Sequence, residues 1–156
     1  MASISNVTMS IATGTSSIAR SVTVNGTMTF DANDVGKTYR LGIALVGEDK
    51  TGDNLPSGDA VGDDDVYDFR WGILLYQKPY KSITVAAPGT QTFSETRSVS
   101  NVKLDEDAGT VPINYEPDIN TPLPGFPRKD EVYARATLGL APVIARSPTV
   151  IAGIGI

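Results

Sequence analysis

Eight of the 18 acidic side chains fall between Glu48 and Asp68, namely Glu48, Asp49, Asp53, Asp59, Asp63, Asp64, Asp65 and Asp68, with Lys50 the one base among them. The segment carries a net charge of −7, against −5 for the whole chain, so the molecule's negative charge belongs to this stretch. Carboxylates packed this closely repel one another unless a cation or solvent neutralises them. Calcium suits them, because it takes about six to eight oxygen ligands from carboxylates, carbonyls and water on a flexible, Gly-bearing loop. Asp53, Asn54, Asp59, Asp63 and Asp65 are the expected ligands. The spacing is not that of an EF-hand, since Asn54 stands where that loop needs Gly. The plainer reading, and the one preferred over a calcium site, is a solvated loop that keeps the chain soluble or meets a basic patch on a neighbouring subunit. Asp105-Glu106-Asp107-Ala108-Gly109 is a second acidic stretch and reads as a solvated turn at a hairpin tip.

The chain has 156 residues and neither Cys nor His. Disulfides, thiolate nucleophiles, imidazole relays and Cys- or His-ligated metals are therefore excluded. What is left for catalysis is a carboxylate pair, for which Asp63, Asp65 and Asp68 lie close in sequence, or a Ser–Lys pair. Either is uncommon in a domain this small, so the expected protein is not an enzyme. The negative net charge and the scattered Lys and Arg argue against nucleic acid. No stretch of about 18 apolar residues exists to span a membrane. Met1–Asn6 has no signal-peptide pattern, and the expectation is a cytoplasmic protein or one that leaves without a leader, as in an assembled particle. Tyr76 and Tyr80, with Lys78 and Lys81 around Pro79, are candidates for stacking on a sugar or on a partner's proline; the plainer reading makes them core or rim residues.

The elements that must position these groups read as strands. Period-two alternation appears at Val7, Met9 and Ile11, and again at Val22, Val24, Met28 and Phe30. Asn25-Gly26 inside the second run is a two-residue hairpin signal, but the apolar parity continues across it. That favours a single strand with Gly26 at a bulge or close approach. Residues 30–37 are turn-rich, with room for one helical turn. Tyr39, Leu41, Ile43 and Leu45 alternate, and Tyr67, Phe69, Trp71, Ile73 and Leu75 form the strongest run, expected to be a central strand. Shorter candidates follow at Ile83 and Val85, at Val99, Val102 and Leu104, and at Val111, Ile113 and Tyr115, before a clean alternation at Val132, Ala134, Ala136, Leu138 and Leu140.

Helical spacing is nowhere sustained, and 15 Gly and 10 Pro punctuate the chain. The expected fold is a single all-β domain over residues 1–156, an antiparallel β-sandwich of seven to nine strands. Two segments interrupt it: a long acidic loop at 48–66 and a Pro-rich crossover at 112–127, which holds five of the 10 prolines.

Asp130-Glu131-Val132-Tyr133-Ala134-Arg135-Ala136-Thr137-Leu138 resembles the penultimate strand of immunoglobulin-like and fibronectin type III-like domains, with Trp71 on an upstream central strand suiting the same layout. The resemblance implies an immunoglobulin-like sandwich; a jelly roll of eight strands fits the strand count nearly as well. Neither carries over a functional residue.

The last 16 residues hold one charge, Arg146. Chain ends are ordinarily polar and frayed, so Val143, Ile144, Val150, Ile151, Ile154 and Ile156 call for a covering. Either a last strand returns to its own sheet, or it docks on another subunit, with residues 3–17 as a matching segment. The expected function is a non-enzymatic, self-associating structural or assembly subunit of capsid, filament or appendage type. The alternative is a calcium-dependent carbohydrate- or protein-binding module using 48–68.

Overall fold

The computed structural model describes residues 1–12, 18–47, 64–104, 110–111, 126–127, 130–140 and 143–152. Three strands form one antiparallel sheet in the order β1 (Ser3–Ile11), β2 (Ala19–Phe30) and β6 (Gly89–Ser100). The second sheet runs β10 (Val143–Arg146), β9 (Asp130–Gly139), β3 (Thr38–Gly47) and β4 (Asp64–Asp68). In it β5 (Lys81–Thr84) also pairs with β3, and β11 (Val150–Ala152) also pairs with β9. Each of these short strands continues the line of its predecessor, β5 after β4 along β3 and β11 after β10 along β9. A helical turn, α1 (Asn101–Leu104), follows β6, and β7 (Thr110–Val111) pairs with β8 (Phe126–Pro127). The architecture is all-β and sandwich-like.

The alternation read from the sequence explains how the sheets close. Val22, Val24, Met28 and Phe30 of β2 and Phe93 and Val99 of β6 share one buried cluster with Leu41, Ile43 and Leu45 of β3 and Val132, Ala134, Ala136 and Leu138 of β9. Full burial of a Val, Leu, Ile or Phe side chain contributes about 1.5–3 kcal/mol, so these faces supply the main drive to fold. In β1 the buried positions shift from Ile4 to Val7. Asn6 has φ 51°, and the register to β2 slips between Ser5 and Thr8, so a bulge changes the parity.

Gly26 resolves in favour of the continuous strand. Asn25 and Gly26 pair with Ser94 and Phe93 inside an unbroken β2–β6 ladder. A Cβ on Gly26 would lie 2.5 Å from the Phe93 ring, so glycine is there for a close approach. The turn at 30–37 contains the short helical element, a 3-10 turn at Ala32–Asp34. It is capped reciprocally: Asn33 N–H donates to Asp31 Oδ1 (2.8 Å) and Asp31 N–H to Asp34 Oδ2 (2.9 Å).

Several expectations are corrected. The run from Tyr67 to Leu75 is not a central strand: β4 ends at Asp68, and the central strand is β3, paired to β9 on one side and to β4 and β5 on the other. Burial on both faces of β3 from Ile43 to Gly47 shows why. Val102 and Leu104 lie on α1 rather than on a strand, with Val102 exposed and Leu104 buried. Residues 64–66 belong to β4, not to the loop. The ends of the Pro-rich segment meet, since Val111 pairs with Phe126; Ile113 and Tyr115 lie outside the described residues.

The close of the chain is held by Ser147, which bridges β10 and β11 where Pro148 can offer no N–H. Ser147 N–H donates to Ala134 O (2.8 Å), and its Oγ accepts from Ala134 N–H (2.8 Å) while donating to Pro148 O (2.9 Å).

Gly26→Ala is expected to destabilise the fold by about 1–3 kcal/mol through overpacking against Phe93. Thermal melts check this, with Phe93→Leu in the same chain restoring part of the loss.

Candidate functional site

Between β4 and β5 the chain leaves the sheet as a hairpin, residues 70–79. Its arms meet at Trp71 and Lys78, which exchange N–H···O bonds of 2.9 and 2.8 Å. The tip turns at Ile73–Tyr76, closed by Tyr76 N–H donating to Ile73 O (2.7 Å). Gly72 has φ +118°, a conformation that L side chains rarely adopt, and a Cβ there would sit 2.6 Å from Tyr76 O. Because the backbone turns instead of running straight, its consecutive apolar side chains find no core. Ile73, Leu74, Leu75 and Tyr76 are 78%, 93%, 89% and 76% exposed.

The hairpin is fastened at its base by the opposite sheet. Glu95 of β6, nearly buried, accepts from Trp71 Nε1 (3.1 Å) and from Lys81 Nζ (2.6 Å). Arg97, two residues on, lies 3.6 Å from Glu95 and donates from Nη2 to Arg70 O (3.1 Å). Its guanidinium also sits 5.4 Å from the Phe69 ring centroid and 5.3 Å from that of Trp71. Burial, the largest single influence on Glu95, raises its pKa. The hydrogen bonds from Lys81 and Trp71, with the charges of Lys81 and Arg97, outweigh burial and bring the group below its ordinary value of 4.5.

Beside the hairpin a cleft of about 480 Å³ opens between the sheet edges, lined among others by Asp65, Asp68, Arg70, Gln77, Arg97 and Lys103. Its walls are polar, and Lys103 Nζ lies 5.5 Å from the centre of the Tyr67 ring.

The residues singled out from sequence distribute as follows. Of the calcium set, Asp53, Asn54, Asp59 and Asp63 lie outside the described residues. Asp65 is on β4, and both its oxygens accept from Arg135 Nη2 on β9, at 2.7 and 2.9 Å. Among the described residues no three acidic side chains converge as a metal site. Tyr76 and Tyr80 occur at the hairpin, Tyr76 at the exposed tip and Tyr80 at the base beneath Arg40, whose Cζ is 4.6 Å from the ring centroid. They are not brought together as one stacking platform, since they belong to opposite ends of the hairpin. Trp71, expected on a central strand, is a hairpin residue instead.

Val143 and Ile144 pair with Leu138 and Thr137, and Val150 and Ile151 with Val132 and Glu131, so the chain's end returns to its own sheet. Ile154 and Ile156 lie outside the described residues. Residues 3–11 pair with β2.

Sequence reasoning missed the hairpin and missed β6 as a strand. The signal for the first was Gly72 followed by Ile73-Leu74-Leu75, apolar in both parities, which is not the alternation of a half-buried strand. The signal for the second was the parity of Phe93, Glu95, Arg97 and Val99 in a Thr/Ser-rich stretch.

No protein-family model matches the chain, and no curated protein or solved structure is significantly similar to it.

Because the pKa of Glu95 is lower folded than unfolded, its contribution to stability is fully present above the unfolded value and is lost as pH falls through the folded one. Glu95→Gln is therefore expected to lower stability at neutral pH and to flatten the acid limb of a stability-against-pH curve, measured by urea unfolding. An acid limb identical to that of the parent chain would show that Glu95 does not hold the hairpin base as an ion.

Proposed function

We propose that this chain is a non-enzymatic structural subunit that associates with further copies of itself through the outer edge of β10 and β11. The observation that carries the reading is the position of that strand pair. It is the outermost of the second sheet, it bonds to β9 on one side, and among the described residues no strand pairs with its other side. Its sequence, Val143-Ile144-Ala145-Arg146 and Val150-Ile151-Ala152, is apolar with one charge. A sheet edge with no described strand on its outer side is a template for another strand.

The other edges are blunted. β1 carries the Asn6 bulge. On β6, Arg97 Nη1 caps Thr96 O (2.7 Å). The line of β4 and β5 is interrupted by the hairpin. Each device discourages strand addition. Pro148 divides the β10–β11 edge, so addition there runs in two short registers either side of it.

The strand order supports a finer reading of the fold. We read sheets ordered β1-β2-β6 and β10-β9-β3-β4, with β9 penultimate before the line of β10 and β11, as an immunoglobulin-like or fibronectin type III-like sandwich. A superfold of this kind carries no function of its own. The calcium-dependent reading gains no support from Asp65, since a cation there would displace Arg135.

Sedimentation velocity over a range of concentrations tests the assembly. Concentration-dependent association is expected, with amide hydrogen exchange slowing in residues 143–152 as association proceeds. A monomer at every concentration overturns the proposal.

A further inference from the structure

We propose that the hairpin at residues 70–79 is a lipid-docking element, its tip entering the interface of an anionic bilayer. This rests on the hairpin alone and is independent of the strand-edge reading.

The tip presents four consecutive apolar side chains, Ile73 to Tyr76, almost entirely to solvent. Scattered exposed apolar residues are ordinary, but a contiguous group held clear of the sheet marks a contact surface. The group is convex, and the cleft beside it is polar, lined by Asp65, Asp68, Arg70, Arg97 and Lys103. A convex apolar tip buries well in a deformable medium, whereas a protein partner needs a preformed groove.

Charge then selects the medium. From Phe69 to Ser94 the chain has no acidic residue and three bases, Arg70, Lys78 and Lys81, in a protein of net charge −5. Arg70 and Lys78 are exposed at the base of the tip, and Arg40 lies over Tyr80 beside them. Asp68 at the foot of the hairpin and Asp65 in the cleft beside it are the exposed acids there, and Asp65 is paired with Arg135, so the bases outnumber the one acid left over. Asp64, by contrast, is paired to Gly47 at the far end of β3, where Glu131 and Asp130 of β9 also fall, on the order of 16 Å along the strand from Gly42 at the hairpin's foot. Basic residues flanking an apolar tip, with aromatic rings at the boundary, match anionic headgroups over acyl chains. The fastening of Trp71 to Glu95 and the Gly72 turn hold the tip extended before it binds, so little ordering is left for the moment of contact.

The test is flotation of the full chain with phosphatidylcholine vesicles, with and without phosphatidylserine, in EDTA so that calcium bridging plays no part. Trp71, the single tryptophan, gives a parallel fluorescence readout. Binding is expected on the serine-containing vesicles and is weakened by salt. The partition coefficient should fall more than about tenfold in Leu74→Asp/Leu75→Asp and about fivefold in Lys78→Ala. All three positions are exposed, so melting curves should match the parent chain. Absence of binding, or binding unchanged in the leucine double variant and in Lys78→Ala, overturns the proposal. An oligomer that dissolves in the leucine double variant, without vesicle binding by the parent, assigns the tip to a second copy instead and likewise overturns it.

Discussion

Closing one sheet on the other is the constraint from which the remaining features follow. Each sheet turns an apolar face toward the other, and the partner sheet covers it. That requirement sets the parity of β2, β3 and β9, places glycine where Phe93 crosses Gly26, and turns β1 through a bulge so that Val7 faces inward after Ile4. It also places β3 and β9 in the interior of their sheet, each with strands on both sides, as β2 is in the other.

Along the flank where β6 approaches β4 and β5, polar groups complete the closure. Glu95 is charged and almost buried, a position that costs free energy unless the charge is paired. Lys81, Trp71 and Arg97 pair it, and all three reach it from or beside the hairpin base. One carboxylate thus joins the two sheets and aims the protruding tip. Core packing and surface chemistry meet at the same residue: the carboxylate that ties β6 to Lys81 of β5 also holds Trp71 at the base of the hairpin.

The acidic segment and the hairpin divide the molecule's charge. Acids concentrate at 48–68, whereas 69–94 contains none. Arg135 answers Asp65 across the sheet, so this one acid of the stretch is neutralised from within the chain.

The strands of β2, β3 and β9 were legible because alternation is a local pattern, and a half-buried strand repeats it every second residue whatever lies opposite. The reading of Gly26 as a close approach followed from the same parity. The all-β class was likewise legible from Thr, Val, Ile and frequent Gly and Pro. Chemistry excluded by the missing Cys and His needed no structure at all. What tertiary structure decided is where local pattern and global pairing part company. Trp71 to Leu75 has the composition of a core strand, but β3 already had both edges occupied by β9, β4 and β5, so these residues were turned outward at Gly72. In β6, Thr and Ser conceal a strand whose inward positions include a charged residue, because a buried Glu is tolerable only when partners distant in sequence arrive to pair it. The apolar C-terminal stretch could be seen to need covering; that β9 covers one side of it, through Ser147 where Pro148 breaks the ladder, depends on contacts between segments that no local reading contains.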